Sequence, residues 1–484
     1  MSQDIRHKTK IGMFWNAFEK IAVQGISFVL GIILARLLTP HDYGTIGMLI
    51  IFLTFSNVFV DSGFSRALIQ RQNRTEEDFS TSLIFNVVVS VLLYLILFVA
   101  SPAIARFYET PELVSLQRVF FLVIILNSLT VVQSAKLQIK VDFKNIALIN
   151  TVSTVLSGGI AIYAAYQGAG AWALVMQSLI RSAVSAVCFW VVGRWIPKTG
   201  FSKDSFKKLF GFGSKLLATG LLSTTITNIN NLIIGKIYNP ASLGYYTRAQ
   251  HFPELTVGTV GSVLNSATFP MMATLQDKSD ELMSAFRKLI KFSALVSFPA
   301  MVGLAVLSDD IIMVLLGEKW MPASDLLFWL SLSYITTPLS ILNLNLLNAV
   351  GRSDLFMKID FSKVPIIAVT MAITFPISLK AVVIGKAVTA GIFFYMNTLM
   401  VKRLYRFGAI RQLLCMWKSI VATVVMAFAV WIVCSFIANS MMSLLVGIAT
   451  GVIVYAVMLV LLKEEEHKEL ISEIRKKINK ISLQ

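Results

Sequence analysis

Charge is what this sequence has least of. Only 14% of its 484 residues are Asp, Glu, Lys or Arg, against about 25% in soluble globular proteins. That shortage excludes a string of ordinary soluble domains. Cysteine is nearly absent as well. Cys188, Cys415 and Cys434 lie far apart in apolar segments, so they build neither a disulfide framework nor a metal cluster and read as small buried hydrophobes. No P-loop pattern G-x-x-x-x-G-K-[ST] occurs, which argues against ATP hydrolysis by this chain. No paired carboxylate or nucleophile–base constellation stands out, and the longest outward loop, near 308–321, carries Asp309, Asp310 and Glu318 as solvated charges. The first apolar segment is long and interrupted by Glu19 and Lys20, unlike a cleavable signal peptide.

What is there is apolar sequence in long runs. The chain is 56% hydrophobic with a mean hydropathy of +0.74, and runs such as "VVVSVLLYLILFVA" and "LLVGIATGVIVYAVMLVLL" match a bilayer core of about 30 Å at 1.5 Å per helical residue. These features predict an all-α polytopic membrane protein with about fourteen transmembrane helices. Hydropathy, caps and breakers place them near 12–37, 43–65, 80–101, 113–134, 145–166, 170–192, 209–235, 243–270, 289–307, 322–347, 357–378, 381–401, 415–437 and 441–462.

The net charge of +17 raises the question of a nucleic-acid partner, and the placement of the basic residues answers it. With fourteen spans, 30 of the 43 Lys and Arg residues fall on the side of the termini. Only Arg36, Arg106, Lys236, Lys319 and Lys380 fall on the other face. Such a bias puts both termini in the cytoplasm. The basicity is mostly topology, and no nucleic acid is implied.

The remaining charges lie inside spans: Lys20, Arg118, Arg181, Lys215, Arg248, Lys363, Lys386 and Lys418, with Glu19, Asp61, Glu254 and Asp360. An embedded charge costs at least about 2.5–3.5 kcal/mol on insertion scales, so it faces a wet cavity or a partner. Lys215, Lys363 and Lys418 lie near enough to an end to snorkel, whereas Lys20, Arg181 and Glu254 lie deeper. Polar residues also recur at helical spacing. Asn16, Lys20 and Gln24 share a face of span 1, and Thr54, Asn57, Asp61 and Ser65 share one of span 2. Span 7 carries Lys215, Thr219, Ser223, Thr227 and Asn231, and span 8 carries His251, Glu254, Gly258, Ser262 and Asn265. Each stripe fits either interhelical hydrogen bonding or a water-filled vestibule. Pro253, Pro299, Pro338 and Pro365 fall inside spans and predict bends.

The chain also repeats itself. "ILARLLTPHDYG" at 33–44 returns in register as "IIGKIYNPASLG" at 233–244, with Pro40 on Pro240 and Gly44 on Gly244. This echo frames two lobes of six helices, 1–192 and 209–401, joined by a basic cytoplasmic linker, 193–208. Six is even, so the lobes are expected to be related by a pseudo-two-fold axis along the membrane normal, with a substrate site between them. Spans 13 and 14, in 415–462, form an appendix. The basic amphipathic tail 463–484 suits either anionic lipid or solvent.

The segments "LARLLTPHDYG", "SGFSRALIQ", "ARFYETPEL", "GAGAWALV", "FGFGSKLLATG", "NLIIGKIYNPASLGYYTRAQ" and "GEKWMPA" resemble the polysaccharide transporter family of lipid-linked oligosaccharide flippases. That family belongs to the multidrug/oligosaccharidyl-lipid/polysaccharide exporter superfamily, and the likeness is closest to its colanic-acid and teichuronic-acid exporter branch. It covers most of residues 10–415 in order and spacing. The resemblance implies two lobes around a central cationic cavity, in a bacterial inner membrane protein serving surface polysaccharide biosynthesis. Its implied cargo is an undecaprenyl-pyrophosphate-linked repeat unit, and other polysaccharide assembly proteins are expected partners besides membrane lipids. Candidate cationic ligands are Lys20, Arg118, Arg181, Lys215, Arg248, Lys363 and Lys386, with Asn16, Gln24, Asn57, Thr219, Ser223 and Asn231 as polar lining. Asn231 stands where relatives often carry aspartate.

The chemistry agrees with an anionic amphiphile. Lys and Arg hold a pyrophosphate through charge-assisted hydrogen bonds, and amides and hydroxyls suit sugars. H⁺ or Na⁺ is the expected coupling ion, with Glu19, Asp61, Glu254 and Asp360 as candidate carriers; salt bridges to nearby Lys or Arg are the alternative role for these carboxylates. The rival transport function is an ion-coupled multidrug exporter of the same superfamily, which a cationic lining disfavours by repelling organic cations. A membrane polysaccharide polymerase or glycosyltransferase is the rival from another class, and the chain is not expected to be an enzyme.

Overall fold

A computed structural model describes residues 3–61 and 63–462; the tail 463–484 lies outside the described residues. The chain divides into two compact units, one up to Gly244 and one from Tyr245 onward. In the first lie α1 (Gln3–Leu37), α2 (Pro40–Asp61), α3 (Phe64–Gln70), α4 (Glu76–Phe107), α5 (Leu113–Phe120), α6 (Leu122–Ile139), α7 (Phe143–Tyr166), α8 (Ala171–Gly193) and α9 (Lys203–Ile237). Helix α10 (Pro240–Thr274) starts at the boundary. The second unit continues with α11 (Ser279–Val306), α12 (Ser308–Ile311), α13 (Pro322–Tyr334), α14 (Thr337–Ala349), α15 (Ser353–Thr374), α16 (Leu379–Tyr405), α17 (Ala409–Cys415), α18 (Trp417–Ser435) and α19 (Ser440–Leu461).

Each of the fourteen expected spans falls on a helix or on a helix broken once. By length and hydropathy, however, eleven among the described residues pass as membrane-crossing, or twelve if the bent α9 is one span. Helices α10 and α15 fall short because polar side chains interrupt their apolar runs, among them Arg248, Gln250, His251 and Glu254 in α10, and Asp354, Lys358, Asp360 and Lys363 in α15. The chain is a multi-span helical membrane protein. Three features differ from expectation. The cysteines form no disulfide among the described residues and are half-buried rather than fully buried. Asp310 is not merely solvated, since it accepts a 2.6 Å hydrogen bond from the Ser443 hydroxyl and so ties α12 to α19. And Pro338 opens α14 after a break at residues 335–336 instead of bending a continuous helix.

Breaks and bends have local causes. Gly63 between α2 and α3 holds φ at 72°, a conformation open to glycine. Helix α9 bends by 50° between Gly211 and Leu216, where Gly213 and Ser214 weaken the helical ladder. The repeated turns are N-terminal caps followed by proline in the first helical turn, where its missing N–H has no intrahelical partner to lose. Before Pro40, the Thr39 hydroxyl accepts from the Asp42 N–H at 3.2 Å and the Asp42 carboxylate accepts from the Thr39 N–H at 2.8 Å. Before Pro240, Asn239 Oδ1 accepts from the Ser242 N–H at 2.8 Å.

The two turns also touch each other. A Cβ on Gly44 would lie 1.6 Å from the Pro240 carbonyl oxygen, and one on Gly244 would lie 1.9 Å from that of Pro40. Backbone meets backbone reciprocally, as small residues allow. Beside the crossing, Gly235 packs under Tyr108, and Lys236 pairs with Glu109 at 2.9 Å. That partner holds the Glu109 carboxyl below its ordinary range.

Residues 193–208 are docked rather than free. Trp195 is buried against Phe79, its indole N–H donates to Glu76, and Lys136 lies over its ring at 4.3 Å. Gln133 donates to the Trp195 carbonyl at 2.9 Å. Next to it, the rings of Phe206 and Phe210 pack against those of Phe64 and Phe85. Truncating a buried aromatic costs about 3–5 kcal/mol, so Trp195→Ala is expected to lower the detergent-solubilised melting temperature clearly. An unchanged melting curve would show that this docking is energetically idle. In the second unit, α17 is held to α14 by a fully buried amide pair: Gln412 donates to Asn343 at 2.8 Å and Asn343 donates back at 3.1 Å.

Candidate functional site

The embedded charges sort themselves by their partners. Asp360 and Lys363, three residues apart on α15, form an ion pair of 2.6 Å. The spacing i, i+3 puts both on one helix face, so each neutralises the other. Arg118 donates from Nε to the Ser101 hydroxyl at 3.1 Å and lies over the Phe98 ring at 4.5 Å. Glu19 accepts from the Asn150 amide at 2.5 Å, which draws α1 to α7. Asp61, at the end of α2, experiences the charge of Arg66 and the Ser65 N–H. Arg248, on α10, is half-buried and is not without a partner.

Two cations of the first unit differ from these. Lys20 on α1 and Arg181 on α8 are both exposed, and neither has a hydrogen-bond or ion-pair partner among the described residues. The polar scaffold next to Arg181 is well knit. Ser182 donates to Asn127 Oδ1 at 2.9 Å, and the Asn127 amide donates to Asn57 Oδ1 at 3.2 Å. This chain joins α8, α6 and α2 immediately beside the arginine. Gln24 and Asn231 are half-buried, while Thr219 and Ser223 are exposed along α9. Asn16 and Lys215 belong to α1 and α9, but their side chains lie outside the described residues.

The second unit brings Glu254 and Lys386 to one cluster without pairing them. Glu254 Oε1 accepts from the Tyr334 hydroxyl at 2.9 Å and from the Gln250 amide. Lys386 donates to the Tyr246 hydroxyl at 3.2 Å, and its ammonium lies 5.6 Å from the Tyr246 ring and 5.0 Å from the Tyr334 ring. Cation–π contact favours the charge without neutralising it. A separate cavity of 590 Å³ between α11, α18 and α19 is lined by Pro299, Gly303, Gly447, Gly451 and other apolar side chains, with Tyr455. It holds none of the candidate charges.

Several of these residues escape a reading of the sequence. Asn127, Asn150, Ser182, Tyr246 and Tyr334 act as partners across helices, and their helical spacing carries part of the signal. Asn127, Thr130 and Ser134 share a face of α6, and Asn150, Thr154 and Ser157 share one of α7. The tyrosines have no such signal, because an aromatic in a span reads as packing.

Comparisons with known proteins follow the same lines. The family described as polysaccharide biosynthesis protein matches residues 33–325. That stretch opens at the first copy of the echo and takes in the second. It includes Arg118, Arg181, Lys215 and Arg248, but not Lys20, Lys363 or Lys386. The teichuronic acid biosynthesis protein TuaB of Bacillus subtilis (strain 168) is 29% identical over 346 residues, which is 71% of this chain and 72% of that one. The succinoglycan biosynthesis transport protein ExoT of Rhizobium meliloti (strain 1021) is 23% identical over 95% of this chain and 94% of its own length. Among solved structures, the lipid II flippase MurJ in an inward closed conformation superimposes with a TM-score of 0.73 over 95% of this chain and 99% of that one, at 15% identity. This likeness shows the fold.

Proposed function

The chain belongs to the polysaccharide biosynthesis protein family, and from that premise we propose that it is a flippase for a lipid-linked saccharide. In this reading it moves an undecaprenyl-pyrophosphate-linked repeat unit across the bacterial inner membrane by alternating access, from the cytoplasmic to the periplasmic leaflet. Both termini lie in the cytoplasm, and the chain performs no covalent chemistry. The observation that carries the reading is the set of cations inside spans that have no carboxylate partner among the described residues: Lys20, Arg118, Arg181 and Lys386. An embedded cation with open donors suits an anionic headgroup. The same cations repel organic cations, the cargo of the rival exporter.

Movement in one direction needs an energy source, and we assign it to an H⁺ or Na⁺ gradient acting at Asp61. Two other acidic candidates support this choice by their engagement: Glu19 with Asn150 and Asp360 with Lys363. The test is deletion of the gene, followed by lipid extraction. A lipid-linked saccharide should accumulate in deletion cells and clear on complementation, while the Asp61→Asn variant should leave it accumulated. Lack of accumulation, with sensitivity to cationic drugs instead, would replace the flippase by the drug exporter. Full complementation by Asp61→Asn would remove that residue from coupling.

A further inference from the structure

We infer that the second unit carries a saccharide subsite between Glu254 and Lys386, with Tyr334 as its positioning residue. The inference rests on the flippase reading and adds which part of the cargo this cluster holds. The geometry is unusual for opposite charges inside a membrane. Glu254 and Lys386 share Tyr334 as a neighbour, yet no ion pair joins them among the described residues.

Each charge is left half used. One oxygen of Glu254 receives both the Tyr334 hydroxyl and the Gln250 amide, and the other oxygen receives no donor among the described residues. Glu254 is exposed. Among the described residues the Lys386 ammonium makes one hydrogen bond, to Tyr246, and an ammonium has three donors. Gln250 Oε1 is a further acceptor without a donor among the described residues. Tyr334 sets the arrangement: its hydroxyl orients the carboxylate while its ring keeps the ammonium from reaching across.

Three ligand classes can be weighed against this pattern. A phosphate group is drawn to Lys386 but repelled by Glu254. An organic cation is drawn to Glu254, but Lys386 repels it and already occupies the tyrosine faces. A polyol satisfies both sides, because one hydroxyl donates to the carboxylate while another accepts from the ammonium. A hydroxyl group carries both functions, and neither charge has to be neutralised. The cations of the first unit lack this mixed character: Lys20 and Arg181 are exposed donors, and the one adjacent carboxylate, Glu19, is engaged by Asn150. Glu254 and Lys386 therefore suit the sugar rather than the pyrophosphate.

The test compares two probes on the full-length protein in lipid nanodiscs, read by native mass spectrometry. One is undecaprenyl pyrophosphate without sugar, and the other is the lipid-linked saccharide extracted from deletion cells. The wild type should bind the glycosylated probe about 10-fold more tightly, as one or two hydrogen bonds to a charged group provide. Tyr334→Phe keeps the ring and loses the hydroxyl, and Glu254→Gln keeps the shape and loses the charge. Each should erase the preference for the glycosylated probe while leaving affinity for the sugarless one unchanged. Arg181→Ala should weaken both probes alike. A structural role for Tyr334 would lower both affinities together, which overturns the subsite, and Glu254→Gln decides the matter if Tyr334→Phe misfolds. If the wild type binds both probes equally, the subsite falls and the flippase reading stands. If it binds neither, both fall.

Discussion

Replacing Gly44 by alanine is expected to disable this protein, although alanine is the mildest of substitutions inside a helix. The new methyl would stand 1.6 Å from the Pro240 carbonyl oxygen, far inside a van der Waals separation of about 3.5 Å. The obstructing atom belongs to backbone, so no rotamer change relieves it. The N-terminal turns of α2 and α10 must move apart, and the loss should be about 1–3 kcal/mol or more. Gly244→Ala, with 1.9 Å to the Pro40 carbonyl, should behave in the same way. Gly159→Ala is the control, since nothing lies within 4 Å of its Cβ position, and helix propensity there favours alanine. Melting curves in detergent and saccharide export in cells measure both effects. A Gly44→Ala protein that melts and exports like the wild type would mean that the turns do not touch in the working molecule.

The second large effect concerns the cargo's charge. The double variant Lys20→Ala, Arg181→Ala should abolish export while the protein still reaches the membrane, and Arg181→Ala alone should lower it strongly. A hydrogen bond to a charged group contributes about 1.5–3 kcal/mol, or roughly 10- to 100-fold in affinity for each residue lost. Arg181→Lys should fall between, because an ammonium keeps the charge but not the planar fork that grips two phosphate oxygens. Lys363→Ala makes an instructive comparison. Its ammonium is engaged by Asp360 at 2.6 Å, so its loss should alter stability more than export. Wild-type export by the double variant would take these two cations out of the headgroup site.

The sequence reaches some features of this molecule and not others, for physical reasons. Helices in a bilayer must be long and apolar, so the spans are legible, and α10 and α15 blur because polar residues lower their hydropathy. The echo reveals two matching turns because proline and glycine leave strong local marks. That Gly44 meets Pro240 is a tertiary fact, invisible to any one-dimensional pattern. The same limit applies to the charges. Spacing alone could pair Asp360 with Lys363, since both lie within one turn. It could not join Glu19 to Asn150 or set Tyr334 between Glu254 and Lys386, because those contacts cross between helices. Sequence can therefore name embedded charges but cannot sort them into a site.

The docking of residues 193–208 bears on how the protein is made. Phe64 and Phe85 find their packing partners, Phe206 and Phe210, only after roughly 120 further residues have been added. The first compact unit closes at Gly244, a full helix beyond the point where six spans have been synthesised. A nascent chain paused near Gly193 would thus present an aromatic cluster still open, a natural client for the insertion machinery. For the same reason, a gene split just after Gly244 should yield a first fragment better able to fold than one split at the apparent linker.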